Sequence, residues 1–205
     1  MRIILAVGLG AVLAAAAWAQ GPNLLDNPGF EEAPPEGDES PALGWIAAAG
    51  TRQGTAAGAD PATCLAVRDQ HEPHSGEWCL RLQAEDRQLM DLRAQPEREN
   101  GTRTPFIPVS GGERYDFSYW ARVIEPGTIL VGHLIFYDAE KQYLEGSHER
   151  LKTYAAQTGD RWLKFERSVP IEERAAFVIV EFAVGWGAGA RQIAWLDDIE
   201  LRPHQ

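Results

Sequence analysis

Turn residues interrupt this chain too often for it to build long helices. Short runs of β-branched, aromatic and aliphatic residues recur at Glu77–Gln83, Tyr115–Val123, Ile129–Tyr137, Trp162–Val169, Phe177–Val184 and Ala194–Leu201. Each is bounded by Gly, Pro, Asp or Ser. Runs of this length with period-two alternation predict strands, and a succession of them predicts an all-β fold, a two-sheet antiparallel β-sandwich. The 20 Gly and 13 Pro suit that architecture, because they close turns between strands and break incipient helices. Glu85–Arg98 alone has helical propensity along its length. Pro96 and the nearby Gly101 leave two readings open there, a helix or a strand followed by a loop. Glu31–Gly44, which carries Pro34, Pro35, Gly37 and Pro41, predicts an excursion loop, and Ala47–Ala62 a strand with a loose tip.

The first segment has the form of an export signal. Met1-Arg2 precedes the apolar run Ile3–Ala17, and Ala17-Trp18-Ala19 forms a small-residue cleavage site before Gln20. That run is shorter than the ~20 residues a membrane-spanning helix requires, so the expectation is a leader over 1–19 and one domain over 20–205, exported to an extracellular or periplasmic space. The formal net charge is −11, and it becomes more acidic once the leader's Arg2 is gone. Such a balance argues against a nucleic-acid footprint or a polybasic membrane patch. In an oxidising compartment the two cysteines, Cys64 and Cys79, predict a disulfide across the intervening turn. Two buried thiols are the other reading.

The order of several motifs carries a resemblance. Asn23-Leu24-Leu25-Asp26-Asn27-Pro28-Gly29-Phe30-Glu31 is followed by Trp45 after Gly44, and then by His74-Ser75-Gly76 leading into Leu80-Arg81-Leu82. Tyr115–Arg122 and the closing Trp195-Leu196-Asp197-Asp198-Ile199-Glu200-Leu201 complete the series. Together they resemble the galactose-binding-like jelly rolls that include CenC-type carbohydrate-binding modules, over residues 22 to 202. The resemblance implies a structural calcium held by Glu31, Glu72 and Asp197, with a carbonyl from Ser75. A hard cation needs several oxygen ligands, and these acids would repel one another without it. Asp198 competes for the same role: strict alternation puts Asp197 on the Ile199/Leu201 face and Asp198 on the other. Solvated acids are the plainer reading of both pairs.

Alternation also sorts the strands into faces. Tyr115, Phe117, Tyr119 and Ala121 predict a core side, which leaves Trp120 and Arg122 outward. His133, Ile135 and Tyr137 oppose Leu130, Leu134 and Phe136, and Glu181 opposes Val180 and Phe182. Trp120, Arg122, His133, Tyr137 and Glu181 are thus expected as one outward constellation, with Trp186 in the Gly-rich loop at its rim. Flat rings stack on the apolar face of a sugar, while Arg, His and carboxylate groups satisfy its hydroxyls. Trp45, Trp78, Trp162 and Trp195 are expected in the interior. His71-Glu72-Pro73-His74 does not present a helical metal motif, and no nucleophile elbow or phosphate loop is present. Catalytic residues are therefore expected to be none. The expected activity is non-catalytic binding of a polysaccharide or glycan, in company with separate glycan-active enzymes or envelope proteins. The alternative is a structural or adhesive module that makes protein contacts.

Overall fold

Hydrogen bonding follows the alternation closely. The computed structural model describes residues 21–51, 63–85, 88–97, 101, 103–188 and 190–205; the expected leader and most of the Ala47–Ala62 tip lie outside them. The strands are β1 (Trp45–Thr51), β2 (Cys64–Asp69), β3 (Cys79–Glu85), β4 (Gln88–Ala94), β5 (Ile107–Pro108) and β6 (Arg114–Val123). They continue as β7 (Ile129–Tyr137), β8 (Tyr143–Tyr154), β9 (Leu163–Pro170), β10 (Phe177–Val184) and β11 (Arg191–Pro203). One helical turn, α1 (Ala155–Thr158), joins β8 to β9. Sheet A runs β1-β4-β10-β7-β8, with β5 beside β10, and sheet B runs β2-β3-β11-β6-β9. All pairings are antiparallel, and the sheets close over one core as a jelly-roll sandwich.

The core is where the inward residues of both sheets meet. Leu92, Leu130, Leu134, Val180 and Phe182 face Leu80, Leu82, Phe117, Tyr119 and Leu196, all buried. Each such side chain contributes roughly 1.5–3 kcal/mol by leaving water. Tyr119 meets Phe182 edge to face, with centroids 5.0 Å apart, and its hydroxyl is satisfied by the Leu151 carbonyl and Thr153. Gly132 makes this cluster possible: a Cβ there would stand 3.0 Å from Tyr119 Cε1 and 3.1 Å from Phe182 Cε1.

The N-terminal motif fastens the ends of the chain together. Asn23 donates to the Ile199 carbonyl and accepts the Leu201 amide. The Asn27 side chain donates to the Glu32 and Leu43 carbonyls and accepts the Glu32 amide, closing the excursion loop. Phe30 plugs the core against Trp45, with ring centroids 5.2 Å apart.

Within the Glu85–Arg98 segment, β4 is a strand that a loop follows at Gln95–Pro96; residues 86, 87 and 98 lie outside the described ones. Met90, Leu92 and Ala94 reach the core while β4 pairs on both sides, with β1 and β10; tertiary pairing overrides its helical propensity. Two strands were not singled out from sequence, β2 and the charged edge strand β8. Trp45 and Trp195 are buried as expected, and Trp78 and Trp162 are partly so.

The expected disulfide is not formed. Cys64 pairs in register with Ala84, and Cys79 with Asp69, so the cysteines stand at opposite ends of the β2–β3 ladder, five residues out of register. At about 3.3 Å per residue that is roughly 17 Å, against the ~7 Å limit for a bridged Cα pair. The odd offset also puts them on opposite faces. Cys64 joins the core, while Cys79 joins a small outer cluster with Ile193 and Trp195. Burial, with Asp197 and Asp69 nearby, pushes the Cys79 thiol up to about 12.

Candidate functional site

Register builds a polar row across the outer face of sheet A. Arg93 of β4 pairs with Glu181 of β10, Glu181 with His133 of β7, and His133 with Arg150 of β8. Their sequence neighbours Leu92, Phe182, Leu134 and Leu151 pack on the core, so these four side chains point out. Arg93 Nε donates to one Glu181 oxygen, and His133 Nδ1 lies 3.3 Å from the other. Burial alone would raise the Glu181 carboxyl, which is only 7% exposed, but His133 and Arg93 outweigh it and hold it below the ordinary glutamate value. One level along the sheet, Asp91 has the opposite balance. Burial and the nearby Glu181 push its carboxyl up to about 6, against the pull of Arg93 and His133. The face therefore pairs an ionised acceptor with a carboxyl that keeps its proton into the mildly acidic range.

Aromatic residues frame the row. Tyr137 lies at one end, edge to face with Phe106 at 5.1 Å and with Tyr143 at 6.0 Å. Lys141 Nζ sits 4.9 Å from the Phe106 centroid. Tyr137 is thus embedded in an aromatic group, and Tyr143, 48% exposed, is that group's open ring. At the other end, past Val184, Trp186 is 45% exposed. Gly185 before it turns at φ +119, where a Cβ would strike the Gln88 carbonyl. Phe106, Tyr143, Arg93 and Asp91 were not singled out from sequence. Alternation within β4 would have exposed Arg93 and Asp91 had that segment been read as a strand, whereas Phe106 lies in a loop that no periodicity marks.

Trp120 and Arg122 do not join this constellation. β6 belongs to sheet B, so both residues face the opposite side of the sandwich. Arg122, 6% exposed, donates to Glu72 at 2.7 Å and to Asp160 at 2.7 and 2.9 Å. Its guanidinium is consumed in tying β6 to two loops. Trp120 stacks on His74, with centroids 3.7 Å apart and planes inclined by 18°. It walls a hollow of about 330 Å³ shared with Asn23, Lys164, Asp198 and Arg202. Alternation assigns a residue to a face of its own strand and cannot say which sheet that strand enters.

The acidic positions do converge, with changes. β11 carries a bulge between Asp197 and Glu200, and Asp198 takes φ +44 there. The bulge breaks strict alternation, so Asp197 pairs opposite the outward Trp120 rather than sharing the face of Ile199 and Leu201. Both acids then meet the His74-Ser75 turn. Asp197 Oδ2 accepts the His74 and Ser75 amides at 2.9 and 3.1 Å, and Oδ1 accepts the Asp198 amide. Asp198 takes the Ser75 hydroxyl at 2.8 Å and lies 2.7 Å from His74 Nδ1. Burial, with the Asp198 charge adding to it, pushes Asp197 up to about 7.

Part of the donor set fits a hard cation. A Cβ on Gly29 would stand 3.4 Å from Asp198 Oδ1 and 3.5 Å from Asp197 Oδ1, so both oxygens look onto a space that only the missing side chain keeps open. His74, Asp197 and Asp198 also have ligand atoms within 4.8 Å of one another. Glu72 does not fit, because its carboxylate is bound to Arg122. Glu31 approaches Gly29 through its Cγ, but its oxygens accept the Glu77 and Trp78 amides across Gly76. Ser75 donates its amide to Asp197 and its hydroxyl to Asp198.

The sequence matches no protein-family model and no curated protein. Solved structures do match the fold. The enzymatically active domain of bacteriophage CBA120 tailspike protein 4 superposes with TM-score 0.61 at 12% identity, over 89% of this chain and 21% of that one. This chain thus spans about a fifth of that protein's length. TmCBM61 in complex with β-1,4-galactotriose superposes with TM-score 0.54 at 16% identity, over 89% and 99% of the two chains. The CBM22-1 xylan-binding domain from Paenibacillus barcinonensis Xyn10C gives TM-score 0.52 at 14% identity, over 90% and 96%. At these identities the likeness is one of architecture: the chain has the jelly-roll sandwich found in carbohydrate-binding modules.

Proposed function

We propose that this protein is an exported, non-catalytic glycan-binding protein that holds a sugar chain against the outer face of sheet A. The observation that carries the reading is the cross-strand row Arg93–Glu181–His133 between the open rings of Tyr143 and Trp186. Glu181 fixes Arg93 and His133 through its two oxygens, the exposed Arg93 fork keeps further N–H donors for hydroxyls, and the rings offer faces for a pyranose. Two of the fold relatives were solved with, or are named for, a glycan, β-1,4-galactotriose and xylan, and the motif order of the CenC-type modules points the same way. The row sits on packed strands rather than loops, so its groups are held in place before a ligand arrives.

A screen of the purified protein against neutral and charged polysaccharides tests the reading. Binding that is lost in Glu181→Gln and Tyr143→Ala, with circular dichroism unchanged, is the expected result. A folded protein that binds nothing across the screen overturns it in favour of a protein-contact module. Release of reducing ends from any bound glycan overturns the non-catalytic part.

Calcium belongs to the same proposal as a structural support. Asp197 and Asp198, with the Ser75 hydroxyl beside them, would hold it. The ion would neutralise two acids that the bulge forces together and so fasten β11 to the His74-Ser75 turn. A ligand that binds only the folded state raises Tm by mass action, so added calcium should raise Tm and chelation should lower it. A melting curve indifferent to both refutes the assignment.

A further inference from the structure

We infer that the glycan this face accepts is an anionic one, a polysaccharide bearing carboxylate or sulfate groups along its length. The inference rests on the glycan-binding reading above and deepens it. With 30 acidic against 19 basic side chains, the protein as a whole repels polyanions, yet the edge strand β8 turns a basic strip onto this face. Arg150 stands directly opposite His133, Lys152 opposite Val131, and His148 opposite Ile135. Arg150 and Lys152 are exposed, and their Cα atoms lie about 7 Å apart along the strand.

Among the described residues six cations make no ion pair; Arg68 and Arg114 are held by carbonyl and hydroxyl oxygens and Lys141 lies over Phe106, whereas Arg150 and Lys152 stand side by side on one strand face. Arg93, Arg122, Arg167 and Arg202 are each bridged to a carboxylate, whereas among the described residues Arg150 and Lys152 make no ion pair. The acid between them and His148 in the sequence, Glu149, alternates to the other side of β8 and pairs with Arg167 of β9. Of the acids on this face, Glu181 is bridged to Arg93 and touches His133, and Asp91 stands one level along beside them. Of the strand's two acids, Glu149 is thus turned away from the bases, while the exposed Glu145 lies beyond Gly146 at the Tyr143 end. Tyr143 and Tyr154, 48% and 40% exposed, stand at the two ends of the same strip, so ring faces for stacking bracket the charges.

The chemistry of the heads matches an acidic sugar. An Arg fork takes a carboxylate or sulfate through two parallel N–H donors, and a Lys ammonium serves as a point charge beside it. A neutral glycan would leave both charges without a partner. An anionic one gains local attraction on a molecule whose remaining charge discourages unspecific adsorption.

Homogalacturonan offers a matched pair of probes, because full methyl esterification removes its charge and keeps its backbone. Alginate and a sulfated galactan extend the anionic arm, and β-1,4-galactan and xylan provide the neutral arm. The expected result is binding to at least one anionic polymer that falls steeply between low and high salt. Arg150→Ala/Lys152→Ala should weaken it by roughly two- to thirtyfold, judged from two exposed charge pairs, and should flatten its salt dependence. Loss of galacturonan binding on esterification or of galactan binding on desulfation tells which acid is read. Salt-indifferent binding restricted to neutral glycans overturns the inference and leaves the glycan-binding reading standing. Absence of any binding by a folded protein overturns both. The salt titration on the unaltered protein decides the matter even where the double variant is poorly folded.

Discussion

Replacing Asp91 by asparagine should stabilise this protein at neutral pH. The Asp91 carboxyl keeps its proton up to about 6 in the folded state, against an ordinary value of 3.8, because burial and the charge of Glu181 outweigh Arg93 and His133. Across that window the folded chain binds more protons than the unfolded one, so stability falls as pH rises from about 4 to about 6 and stays lower above it. At about 1.36 kcal/mol per pH unit the full shift corresponds to roughly 3 kcal/mol, and allowing for water at a carboxyl that is not fully enclosed leaves about 2 kcal/mol. Asp91→Asn keeps the shape and removes the charge. Urea unfolding from pH 4 to pH 8 on both proteins isolates the term, since every other carboxylate cancels in the difference. The expected outcome is near equality at pH 4 and a variant more stable by about 2 kcal/mol at pH 7. A difference that does not change with pH, or a variant less stable at pH 7, would refute the reasoning.

Other perturbations separate structure from binding. Arg122→Ala should cost about 2 kcal/mol, by unfastening β6 from Glu72 and Asp160, while leaving glycan affinity unchanged; a large affinity loss in a folded variant would return Arg122 to the site. Gly132→Ala should cost roughly 1–3 kcal/mol in urea unfolding by driving a methyl into Tyr119 and Phe182, and a neutral result would mean those rings have slack. A reductant should leave Tm unchanged, because Cys64 and Cys79 are not joined; a fall of several degrees would show that they are.

Much of the fold was legible in residue order because a half-buried strand writes its burial directly into period-two alternation. β7 and β10 appear with the bounds that the pattern suggests, Ile129–Tyr137 and Phe177–Val184, and His133, Tyr137 and Glu181 fall on the outward side. β8 was not legible. It lies at a sheet edge, its outward residues are charged, and Gly146 interrupts it, so its burial is too slight to leave a pattern. β4 was half legible, since its propensities favour a helix that pairing with β1 and β10 denies.

What the sequence determined by itself was therefore local: which residues turn inward on each strand and where turns close; that acids gather at the His74-Ser75 turn came from the order of motifs shared with a family. The tertiary structure decided which strands share a sheet, and this separated Trp120 and Arg122 from His133 and Glu181. It also decided the bulge that brings Asp197 and Asp198 to one side, the ladder that holds the cysteines apart, and the row that carries Arg93 and Arg150 to the same face. The physical reason is that alternation reports the environment of a residue along its own strand. Strand order and register are settled by long-range pairing, whose partners lie far apart in the chain and leave no periodic trace in either segment.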